Sequence, residues 1–193
     1  VVFEFLIRVE FVISACAILI MIFMADFVII SLSTDNVKWS DKPAVWNINR
    51  LAKIGTVMGL IMTAEAFGLL YIGLRYFNLS TDNEALSTFC FELLLCFALF
   101  SILVVREKNH FWRSAPSKTL LFLLIADMIL GLLLSTFGLL GFKAIPFTLT
   151  TVVIIYTAVS SFILNDLIKI VLFKKWHEKV SETVKIISTN NKQ

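Results

Sequence analysis

Phe11-Val-Ile-Ser-Ala-Cys16-Ala-Ile-Leu-Ile-Met-Ile-Phe-Met-Ala25-Asp26-Phe-Val-Ile-Ile-Ser31-Leu32 carries a single charge, at Asp26. A helix needs ~20 predominantly apolar residues to cross the hydrocarbon core of a bilayer, and this stretch is long enough. Further runs of the same character follow at 51–77, 83–105, 118–141 and 147–173. The expected fold is therefore all-α, an integral membrane helical bundle of five complete transmembrane helices. Residues 1–10, with Glu4 and Arg8 at i,i+4 spacing, read as an N-terminal partial helix.

Composition agrees with this. Of the 193 residues 59% are hydrophobic and 16% charged, with a mean hydropathy of +0.89; a soluble domain carries about a quarter charged residues. Residues 1–193 form a single membrane domain, and 174–193 a short polar tail. Within that tail Trp176, Val180, Val184 and Ile187 share one helical face flanked by lysines, as in a helix lying on a membrane surface. The net charge of +3 does not point to nucleic acid. Cys16, Cys90 and Cys96 lie within apolar runs without metal-ligand spacing, and read as packing residues. His110 and His177, in basic segments, read as solvated.

The connections sort by charge. Fourteen of the 17 Lys and Arg fall on the side of 33–50, 106–117 and the tail; Arg8, Arg75 and Lys143 fall on the other. The positive-inside rule makes the first side, with the C-terminus, cytoplasmic. Two small-residue ladders, Gly55–Gly59–Thr63 and Gly131–Ser135, predict close helix approach.

Asp26 is joined in the apolar runs by Glu65, Glu92, Asp127 and Asp166. A carboxyl removed from water favours its neutral form and can exchange a proton when its surroundings change, so ionisable groups at membrane depth mark ion or proton pathways. Asp26 is the candidate proton-binding residue. Glu65, Glu92 and Asp127 could support it, or could bond Ser, Thr or Asn on neighbouring helices. Asp166, a further possible support, lies three residues before Lys169, and an intrahelical ion pair explains it adequately. A carboxylate with few other ligands suits a proton better than Ca²⁺, which takes 6–8 oxygens. No phosphate-binding loop, Ser-His-Asp arrangement or zinc motif is present.

Three motifs, in order, point to one family. Ala25-Asp26-Phe-Val-Ile-Ile-Ser31-Leu-Ser-Thr34-Asp35-Asn36-Val37, with Ser40, Pro43 and Trp46, resembles the sixth transmembrane helix and following loop of plasma-membrane-type proton-pumping P-type ATPases. Arg106-Glu-Lys-Asn-His-Phe111-Trp112-Arg113-Ser-Ala-Pro116-Ser117-Lys118 resembles their loop between helices eight and nine. Phe162-Ile-Leu164-Asn165-Asp166-Leu-Ile-Lys169 resembles the end of helix ten. The resemblance implies that the five spans are that family's helices six to ten and residues 1–10 the end of helix five. It implies a plasma-membrane location and Asp26 as central proton acceptor and donor.

The chain departs from the family at Ala25, where an Asn is common. It also lacks the Asp-Lys-Thr-Gly-Thr phosphorylation motif and the nucleotide-binding and actuator domains. No ATP hydrolysis is expected of this chain alone. ATP and Mg²⁺ are implied only for a complete pump, and the chain itself calls for no cofactor. Its partners would be the lipid bilayer, the remainder of the ATPase in the same or a separate chain, and the transported proton or cation. The alternative is an independent multi-pass protein related to such a pump: a scaffold, an assembly factor or a small proton-coupled carrier.

Overall fold

The computed structural model describes residues 13–36, 48–77, 79, 82–107 and 109–174, with the side chains of Arg50 and Leu51 left aside. Five helices long and apolar enough to cross a membrane make up the described chain: α1 Ala15–Ser31, α2 Ile48–Tyr76, α3 Asn83–Val105, α4 Lys118–Phe137, and α5, which begins as Phe147–Val159 and runs on to Lys174. The chain is thus a multi-pass helical membrane protein. The expected partial helix at 1–10, most of the 33–50 loop and the surface helix in the tail lie outside the described residues.

The helix limits follow from local chemistry. Ser14, Asp82 and Ser117 precede α1, α3 and α4, and each side-chain oxygen accepts from a backbone N–H of the first turn, at 3.1, 3.2 and 3.1 Å. A first turn has no intrahelical acceptors for its N–H groups, so such caps fix the starting residue. Helix α4 stops at Phe137, short of the expected 141, because Gly138 takes the left-handed conformation (φ 65°) and the chain tightens into a 3₁₀ turn, Leu139–Gly141. A side chain at 138 would also meet the backbone of Ala144 at 2.8 Å. Helix α2 has 29 residues and spans about 43 Å at 1.5 Å per residue. That exceeds the ~30 Å core, so it tilts or protrudes.

Helix α3 is the centre, packed by α1, α4 and α5 and more lightly by α2. Its Phe89, Phe91, Leu95 and Leu99 are almost fully buried. Large apolar residues of the other helices face outward, including Leu19, Phe23, Leu60, Phe122 and Val171. In a bilayer that surface meets lipid tails or other helices. The apolar bodies therefore gain little from hiding from water, and shape and polar contacts decide the packing.

The two small-residue ladders behave differently. At Gly131 an added Cβ would overlap the Leu95 side chain, and Ser135 is fully buried, so α4 and α3 meet there as the spacing predicts. At Gly55 and Gly59 an added Cβ would meet nothing within 4 Å. The α2 ladder faces away from the described bundle. Cys16 is likewise exposed rather than buried, whereas Cys90 and Cys96 are buried as expected.

Candidate functional site

The five embedded acidic residues do not converge. Asp26 projects from the exposed face of α1, among Ile22, Phe23, Phe27, Ile29 and Ile30. It has no hydrogen-bond or ion-pair partner among the described residues. The nearby hydroxyls are already engaged within the helix: Ser31 donates to the Val28 carbonyl (2.7 Å) and Ser33 to that of Ile30 (2.8 Å). Asp127 is buried on the face of α4 that carries Gly131 one turn on, and its Oδ2 has no partner among the described residues.

Glu92 and Glu65 both face α5. That helix carries a polar line, Thr150, Thr157, Ser161 and Asn165, every member fully buried. Thr150 donates to Glu92 Oε2 at 3.2 Å, and Glu92 Oε1 is enclosed without a partner among the described residues. Asn165 Nδ2 donates to Glu65 Oε2 at 2.8 Å. One helical stretch away, the Tyr156 hydroxyl donates to the Glu65 backbone carbonyl at 3.1 Å. Gly68 permits that approach, since a Cβ there would stand 3.1 Å from the phenol oxygen. Between these anchors α5 widens into a π-helical turn, Ser160–Asn165. Such turns are rare and concentrate at functional sites.

At the Lys/Arg-rich end the connection 106–117 is held by two buried carboxylates. Asp35 accepts from Arg106 Nη1 and from the Ser117 backbone N–H, both at 2.8 Å, while Arg106 Nη2 donates to the Ser114 carbonyl. Burial alone would push the Asp35 carboxyl up, but the Ser117 amide and the Arg106 guanidinium together hold it below its ordinary value. Asp166 accepts from Lys169 Nζ (2.7 Å), from the Phe111 N–H (3.1 Å) and from His110 Nδ1 (2.8 Å). Lys169, itself buried, also donates to the Val104 carbonyl at 2.8 Å.

The i,i+3 pair expected of Asp166 and Lys169 is therefore present, with two further donors from the connection. His110 departs from expectation: it is bonded to Asp166 and stacked on Trp112 at 4.3 Å rather than simply solvated. At the opposite end Lys143 pairs with Asp82 at 2.6 Å, which lowers the Asp82 carboxyl and raises the Lys143 ammonium from their ordinary values. A hollow of about 680 Å³ opens beside this pair, among Ser14, Ser87, Thr88, Phe142 and Lys143.

Among the described residues no three His, Cys, Asp or Glu side chains group as metal ligands.

No protein-family model matches the sequence. The chain is 26% identical, over 164 residues, to a protein of Methanocaldococcus jannaschii named "Putative cation-transporting ATPase". The match takes in 84% of this chain and 20% of that protein, so the chain spans about a fifth of the length of the curated relative it matches. The five apolar helices describe a multi-pass membrane protein, and its distant sequence similarity is to a protein named for cation transport.

Proposed function

We propose that the chain is the membrane-embedded C-terminal part of a P-type ATPase that moves protons across the plasma membrane, with Asp26 as the proton-binding carboxylate. Its tail and the 106–117 connection would lie on the cytoplasmic side. Phosphorylation and nucleotide binding, with ATP and Mg²⁺, would belong to the remainder of the pump, in the same or a separate chain.

The observation that carries this reading is the setting of Asp26. It lies mid-helix on an apolar outward face with no partner among the described residues, a costly arrangement against lipid. A further helix covering that face would enclose the carboxyl between two surfaces, where a change in their separation can alter its affinity for a proton. The similarity to a much longer protein named for cation transport supports the presence of such helices. Glu92 and Asp127, each buried with an oxygen unpartnered among the described residues, are candidate supporting carboxyls.

The test is Asp26→Asn in the complete pump, reconstituted in vesicles with a pH-sensitive dye inside. ATP-dependent acidification should fall by at least tenfold. Normal pumping by the variant would remove Asp26 from the proton path.

A further inference from the structure

We propose that Glu65 is a second, separate proton-binding site, its proton shared with the side-chain amide of Asn165. Asn165 Nδ2 donates to Glu65 Oε2 at 2.8 Å. The remaining polar atom of each group, Glu65 Oε1 and Asn165 Oδ1, is enclosed and has no partner among the described residues. Both are acceptors when the glutamate is ionised, so neither can satisfy the other. Each shares its carbon with an atom of the hydrogen bond already formed. A single proton on Oε1, donated to Oδ1, closes a cyclic acid–amide pair and satisfies both atoms at once.

The charge balance points the same way. No Lys, Arg or His among the described residues bonds Glu65. The only buried lysine on α5, Lys169, is engaged by Asp166 and the Val104 carbonyl. Of the other ionisable groups facing this part of α5, Tyr156 reaches Glu65 through its backbone carbonyl, and Glu92 on α3 bonds Thr150. An ionised Glu65 would therefore be a half-buried anion with one neutral donor among the described residues, a costly state at membrane depth.

The π-turn supplies the geometry. The extra residue it accommodates turns Asn165 by about 100° relative to an uninterrupted α-helix. Asn165 is thereby fully buried against α2. The site is independent of Asp26 and would exist whether or not the chain belongs to a pump.

Infrared spectroscopy of the full 193-residue chain in lipid reads the protonation state directly. Helix content by circular dichroism serves as the control for folding. Glu65→Gln keeps the shape and can still pair with Asn165 as an amide. At neutral pH the difference spectrum between the native chain and E65Q should show the loss of one protonated-carboxyl C=O band, one that shifts in heavy water. Loss of a carboxylate band instead would overturn the proposal. So would a Glu65 carboxylate band that moves when choline is replaced by Na⁺, which would make the ligand a metal cation. Asn165→Leu provides the second arm: the protonated band should move to the frequency of a carboxyl without an amide partner. An unmoved band would overturn the pairing with Asn165.

Discussion

Removing one side of the Asp35–Arg106 pair is the perturbation whose size the structure sets most directly. Both side chains are almost wholly withdrawn from solvent, at 1% and 2% exposure, and the contact is 2.8 Å. Asp35→Ala leaves a buried guanidinium with only the Ser114 carbonyl, since its Nε already lacks a partner. It also strands the Ser117 N–H that begins the turn into α4. Breaking a buried ion pair from one side costs about 3–5 kcal/mol, because the remaining charge stays buried and unpaired.

Arg106→Met should cost a similar amount, leaving Asp35 with backbone N–H groups alone, those of Ser117 and Asn36. The double variant removes both charges and should cost less than the sum, with a coupling of about 1–3 kcal/mol. The assay is unfolding of the purified chain in mixed dodecylmaltoside–SDS micelles, followed by far-ultraviolet circular dichroism. Single-variant losses below about 1 kcal/mol would match an exposed pair. Additivity within about 0.5 kcal/mol would mean that the two residues do not share one interaction. Either result would refute the clasp.

Other expectations follow from the same contacts. Gly131→Ala should destabilise the bundle by about 1–3 kcal/mol through overpacking against Leu95, whereas Gly55→Ala should be neutral or slightly stabilising, since nothing lies within 4 Å; the same micelle titration reads both. Asp35 and Asp82 are both held below the ordinary 3.8, so the stability they lend is complete above that pH and is lost as pH falls through their lower native values. Acid unfolding of Asp35→Asn should accordingly lose part of its pH dependence below about 4. In a background with Cys16→Ser, a cysteine at Ser40 should resist an impermeant maleimide in intact cells and one at Asn78 should react. The reverse pattern would invert the proposed topology.

The spans could be read from sequence because each is a long apolar run closed by a cap or a polar connection. The Asp166–Lys169 pair was legible because both partners lie on one helix, three residues apart. Facing was not legible. Helices α1, α3 and α4 are apolar nearly all round, so periodicity could not say that Cys16 and Asp26 point outward while Glu92 and Asp127 point in. The Gly55–Gly59 spacing carried the same ambiguity. Asp35, Arg106 and His110 looked like ordinary loop residues, because their partners lie 56 to 82 positions away along the chain. For Glu65 and Glu92 the sequence named the class of partner, a Ser, Thr or Asn on a neighbouring helix, but not that it would be Asn165 and Thr150.

The Glu65–Asn165 contact joins residues 100 positions apart, from the second helix to the last. During synthesis the α2 segment enters the bilayer long before the amide that satisfies its carboxyl has been made. For that interval Glu65 has either to carry its own proton or to shelter against the insertion machinery. Retention of α2 in the membrane should therefore depend on completion of α5. Chains cut short before Asn165 should leave α2 exposed to quality-control proteases, even though its own apolar sequence is intact.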